Sequence, residues 1–196
     1  MADSTHHALI AVVLRAHAGR LDALVSRVTR KPGESLDAAL GRAVDVGALA
    51  HVEQLETRMV DGRLTTAYLG LVPPDAPLEG AWLPVRSLSE LSRDRRALIA
   101  AAQARLRAKL SYTNVGFALA PETFTLSELR QIYVAALGHD VSATNLQRVL
   151  VRRAVLERVD GRREPGRTGG RPAALFRFAS QQLEVTDEFA ALRPPR

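Results

Sequence analysis

The residues best suited to chemistry on a partner cluster between Ser142 and Phe178. Ser142 is a natural N-cap, and the spacing after it predicts a helix over Ala143–Arg153. Leu146, Val149 and Leu150 recur at i, i+3 and i+4, so they must face a core. Thr144, Asn145, Gln147, Arg148 and Arg152 then point outward, with Asn145, Arg148 and Arg152 on one stripe. Asn and Arg are the side chains that pair two-pronged with the edges of adenine and guanine. Beyond the helix, Gly161–Arg171 (GRREPGRTGGR) places Arg162, Arg163, Arg167 and Arg171 on a glycine-rich loop. Such a loop can straddle phosphates or insert an arginine into a narrow minor groove.

The charge distribution agrees. The 196 residues carry 27 Lys+Arg against 21 Asp+Glu, a net charge of +6. Residues 141–179 alone hold nine arginines against three carboxylates. A cation excess confined to one segment predicts an anionic partner for that segment. Duplex DNA fits better than RNA, because Phe176 and Phe178 alternate toward one sheet face as core and leave no exposed aromatic for base stacking.

Other chemistries find little support. There is no cysteine, which excludes disulfides, thiolate catalysis and cysteine-ligated metals. His6 and His7 lie together near the N-terminus, while His17, His51 and His139 are scattered. No G-x-S-x-G nucleophile elbow occurs. No apolar run reaches the roughly 18 residues that span a bilayer, and no signal peptide is evident, so the expected compartment is the cytoplasm.

The elements that must position these residues fall into two groups. The first half reads as mixed α and β. Ala8–Arg15 and Leu21–Val28 predict a strand pair, and Ser35–Val46 predicts an amphipathic helix of about three turns. Val52–Met59 and Leu64–Val72 flank Asp61-Gly62, a hairpin signal. Ala81–Val85 predicts an edge strand because of Pro84, with Trp82 a buried edge residue. A long Ala/Arg helix over about 94–110 joins the halves.

The second half predicts a short helix over Tyr112–Leu119. A helix follows from Thr125 to Gly138, opened by a Thr125–Glu128 capping box and a Phe124/Leu129 staple. Then come the outward-facing helix, a strand over Leu156–Val159, the basic loop and a strand over Ala173–Phe178. Three helices, strand, basic loop and strand are the order of a winged helix-turn-helix. The fold class is α+β, with domains expected at 1–110 and 111–196.

On these residues the chain resembles the Nudix-related transcriptional regulators of the NrtR type. FTLSELRQIY, TNLQRVL and GGRPAALFRF are similar to that family's C-terminal winged domain. VEQLETRMVDGRLTTAYLGLV and AWLPVRSL are similar to segments of its N-terminal half. The resemblance implies a Nudix-like α/β/α sandwich at the N-terminus, followed by the winged helix-turn-helix. It also implies a dimeric regulator, expected to be a repressor, on a palindromic operator. ADP-ribose or a related nucleotide is the implied effector, which would tie the protein to NAD metabolism.

The chain departs from the family at the Nudix box. Glu34 and Arg42 keep the E-x7-R spacing, but the following carboxylate positions hold Ala43, Val46 and Gly47, with Asp45 the nearest acid. Hydrolysis needs clustered carboxylates to hold magnesium. The expectation is therefore no enzyme, no catalytic residue, no metal and no required cofactor. Arg27 and Arg58 are the positions that could serve a diphosphate. A competing reading is a nucleotide-binding or hydrolysing Nudix protein whose C-terminal domain binds RNA or protein.

Overall fold

The computed structural model describes residues 7–164 and 172–188. Among the described residues, the strands β1 (Ala8–His17), β2 (Arg20–Thr29), β3 (His51–Val60), β4 (Arg63–Val72) and β5 (Leu83–Pro84) form one sheet in the order β3-β4-β1-β2-β5. β1 and β4 run parallel, and the other pairs are antiparallel. Both hairpin turns use two left-handed residues, Ala18-Gly19 with φ of 49° and 73°, and Asp61-Gly62 with φ of 49° and 75°. That geometry matches the strand twist, which is why Asp-Gly signals a hairpin.

β1 is apolar without a break from Ala8 to Leu14 because both faces of that stretch are covered. Leu9, Ala11 and Val13 pack with Ala39, Leu40 and Val44 around α1 (Leu36–Ala43). Ile10, Val12 and Leu14 pack with Leu98, Ile99, Ala102 and Leu106 of α2 (Arg93–Tyr112). The N-terminal half is thus an α/β/α sandwich. α1 is shorter than the predicted Ser35–Val46: it ends at Ala43, and a 3-10 turn over Val46–Ala48 follows, capped by Asp45. Asp45 takes Gly47 N at 3.0 Å, drawing the chain out of the α conformation.

α2 runs without interruption through Tyr112. The helix expected over Tyr112–Leu119 is instead a 3-10 turn over Val115–Leu119. Thr113 breaks the helix, because its hydroxyl donates to Lys109 O at 2.7 Å and accepts from Val115 N at 3.2 Å. The core continues across this point. The cluster holding Ile10 and Leu106 also contains Phe117, Phe124, Leu129, Leu150 and Phe178. No described helix is long and apolar enough to cross a membrane.

Candidate nucleic-acid interface

The C-terminal unit is built around α3 (Leu126–Leu137), α4 (Ala143–Arg152) and a hairpin of β6 (Leu156–Arg163) with β7 (Ala173–Phe178). α3 starts on the predicted capping box: Glu128 N donates to Thr125 Oγ1 at 3.2 Å, and Thr125 N donates to Glu128 Oε2 at 2.7 Å. It ends at Gly138, whose φ of 78° is left-handed. Arg130 of α3 donates to Val141 O at 2.7 Å and pairs with Asp140, fixing the turn between the two helices.

Ser142 caps α4 as expected, accepting from Asn145 N. Leu146 and Leu150 are buried and Val149 is half-buried. Thr144, Asn145, Gln147, Arg148 and Arg152 are all exposed, so the predicted outward face exists. Within it Arg148 Nη2 donates to Asn145 Oδ1 at 2.8 Å. Sequence reading passed over Val151, which lies on the same face and is 54% exposed.

Arg153 follows α4 and plays a different part. Its side chain is only 10% exposed; it donates to Ser111 O and lies 3.1 Å from Asp187. Asn114, also buried, grips the same C-terminal stretch from both ends of its amide. Nδ2 donates to Gln182 O and Oδ1 accepts from Glu184 N, each at 2.8 Å. Residues 182–187 therefore strap the end of α2 to the end of α4. Asn114 and Asp187 stand too far apart in sequence to form any motif, so only the fold reveals the strap.

The basic loop is shorter than predicted. β6 extends through Arg163 because Arg162 and Arg163 pair with Ala174 and Ala173, beyond a bulge at Asp160-Gly161 where Gly161 has φ of 103°. Arg162 and Arg163 thus sit on a strand and not on the loop. Arg162 is exposed. Arg163 reaches back toward α3, 3.6 Å from Glu128 and within 3.4 Å of Thr123 O. Arg167 and Arg171 lie outside the described residues. Phe124 bridges Phe176 through paired backbone hydrogen bonds of 2.9 and 2.8 Å, seating the hairpin on α3, and its ring stands 5.4 Å from that of Phe178.

In the N-terminal sandwich, Glu34 is bound by Arg42 through two hydrogen bonds of 2.8 Å and also accepts from Lys31 N at 2.8 Å. Arg42 beside it holds the Glu34 carboxyl down at about 2. Arg42 further donates to Thr29 O, so the pair ties α1 to the end of β2. Among the described residues there is no group of three or more His, Asp or Glu placed to hold a metal ion.

Arg27 and Arg58 converge on the β3–β4 turn and the start of α2. Arg27 lies 3.6 Å from Asp61, and Arg58 lies 3.3 Å from Glu56 and donates to Asp94 O at 3.2 Å. An open cleft of about 540 Å³ beside α1 is lined by Ser26, Arg42, Asp45 and Leu78, and neither Arg27 nor Arg58 lines it.

The histidines stand apart. His51 lies 3.7 Å from Glu53, which also binds Lys109 at 2.9 Å, and burial pushes the His51 pKa down. Trp82 is half-buried at the sheet edge, with the Arg15 guanidinium 4.0 Å above its ring.

Residues 116–178 match the NrtR DNA-binding winged helix domain. The ADPR responsive transcriptional repressor NtrR of Acinetobacter baylyi is 37% identical over 95 residues. That match covers 48% of this chain and 37% of the relative, so the chain spans well under half of that relative's length. In structure, the chain is similar to Shewanella oneidensis NrtR complexed with a 27mer DNA, with a TM-score of 0.69 at 23% identity. The superposition covers 87% of this chain and 92% of the other. Shewanella oneidensis NrtR in a second crystal structure gives a TM-score of 0.69 at 21% identity, over 88% and 94% of the two chains. The chain therefore has the NrtR fold, a Nudix-like sandwich followed by a winged helix.

Proposed function

We propose, from the match of residues 116–178 to the NrtR DNA-binding winged helix domain, that the chain is a DNA-binding transcriptional repressor. α4 enters the major groove, and the β6–β7 hairpin grips the flanking backbone. The observation that carries this reading is the outward face of α4. Thr144, Asn145, Gln147, Arg148 and Arg152 are all exposed there, while Leu146 and Leu150 root the helix in the core. One such helix reads only a few base pairs. The protein therefore acts as a homodimer on a two-fold operator with half-sites about one helical turn, or a multiple of it, apart.

The sandwich (residues 1–110) serves as a sensor and not a hydrolase, and the remainder (111–196) serves as the reader, in the cytoplasm. Glu34, the one acid that keeps its box spacing, is spent on Arg42 and Lys31 N, which leaves it unsuited to magnesium. ADP-ribose or a related nucleotide is the effector, by analogy with the ADPR responsive repressor of Acinetobacter baylyi. Arg27 and Arg58 receive its diphosphate only if they release Asp61 and Glu56. Such an effector must prefer the DNA-free arrangement, and a tenfold loss of DNA affinity requires a preference of about 1.4 kcal/mol.

The test is fluorescence anisotropy of the full chain on duplex DNA across a salt series, with and without ADP-ribose. The reading expects a steep fall of log K with log salt and weaker binding when the nucleotide is added. Absence of duplex binding at low salt refutes it.

A further inference from the structure

Asn145 and Arg148 are both suited to two-pronged base reading, and they are not independent. Arg148 Nη2 donates to Asn145 Oδ1 at 2.8 Å. An asparagine that reads adenine must turn its amide oxygen to the base N6–H and its nitrogen to N7. Here that oxygen is turned to the guanidinium. Arg148 loses little by the contact, since it has five donors and spends one. The pair thus orients a guanidinium fork, and the outer edge of that fork matches guanine O6 and N7.

Val151 lies three residues beyond Arg148, about 4.5 Å along the helix and about 60° around it. It is 54% exposed, although Leu146 and Leu150 on the opposite face are buried. A β-branched residue on a solvent face lowers helix stability without burial to offset it. An apolar side chain beside a guanine-reading arginine fits one major-groove feature, the C5-methyl of thymine.

From these observations we propose that α4 reads a guanine through Arg148, with Asn145 as its positioning residue, and a nearby thymine methyl through Val151. Asn145 does not read an adenine of its own. The proposal rests on the DNA-binding reading above and specifies the base chemistry of that same face.

The test starts from duplexes that the full-length chain enriches from a random pool. In the enriched site each thymine is replaced in turn by uracil, which removes only the methyl group. The wild type loses about fourfold in affinity per half-site at one thymine near the guanine, the equivalent of one buried methyl at about 0.8 kcal/mol. Val151→Ala shows no further loss there. Asn145→Ala relaxes preference at the same base pair as Arg148→Ala. Asn145→Asp, which keeps an acceptor for the guanidinium and removes the amide donor, retains the guanine preference. All these side chains are exposed, and melting curves check that each variant is folded.

Indifference of the wild type to every thymine-to-uracil change overturns the thymine assignment. A separate adenine position lost in Asn145→Ala overturns the positioning role. Enrichment of no duplex at all overturns the DNA-binding reading and this proposal with it.

Discussion

Arg153→Ala tests whether α4 is held from behind by the C-terminal strap. Arg153 and Asp187 are 3.1 Å apart and only 10% and 12% exposed, and Arg153 also donates to Ser111 O. Breaking a fully buried pair by removing one partner costs about 3–5 kcal/mol. Both side chains here keep some contact with water, so the expected cost is about 2–4 kcal/mol. For a chain of this length that lowers the melting temperature by roughly 5–15 °C. The assay is denaturant unfolding of Arg153→Ala, Asp187→Ala and the double variant. Because the partners touch, the double variant should be more stable than the summed single losses imply, by at least about 1 kcal/mol. A loss below about 1 kcal/mol for Arg153→Ala, or full additivity in the cycle, refutes the strap as a stabilising element.

Three further outcomes are expected. Arg162→Ala should flatten the dependence of DNA binding on salt by about one unit, whereas Arg163→Ala should change it less, because Arg163 already faces Glu128 and Thr123 O; equal slopes in a salt titration would contradict this. Glu34 is held down at about 2, below its ordinary 4.5, so the stability it contributes is full above pH 4.5 and is lost as pH falls toward 2. Glu34→Gln should therefore flatten the acid side of a plot of melting temperature against pH, and an unchanged acid limb would sink the assignment. Phe124→Ala empties a fully buried site beside Phe178 and should cost about 3–5 kcal/mol in denaturant unfolding; a loss under 1 kcal/mol would show that the hairpin is seated otherwise.

Features set by neighbouring residues were legible in the sequence. The Asp61-Gly62 turn, the Thr125–Glu128 capping box, the Gly138 C-cap and the Ser142 N-cap all appear in the structure, because each is closed by contacts within a few residues. The outward face of α4 was legible for a related reason, since a 3.6-residue period fixes its direction once Leu146 and Leu150 are buried.

What the chain decides at long range was not legible. The extension of β6 to Arg163 depends on Ala173 and Ala174 across the hairpin, and a basic glycine-rich stretch reads as loop until that partner is known. The shortening of α1 turns on one carboxylate, Asp45, which caps the next turn in place of continuing the helix. The grip of Asn114 on Gln182 and Glu184 spans about seventy residues and leaves no periodic trace. Val151 carries no signal in the sequence, because exposed valines are common and only the fold shows which residues share its face.

The central claim is that α4 of this chain reads duplex DNA by sequence. Selection of bound duplexes from a random pool by the full-length chain at near-physiological salt tests it most directly. The account predicts enrichment of a two-fold symmetric site with a guanine in each half, and loss of preference at that guanine in Arg148→Ala. A pool that remains random after repeated rounds, or an enriched site that Arg148→Ala reads as the wild type does, would contradict it.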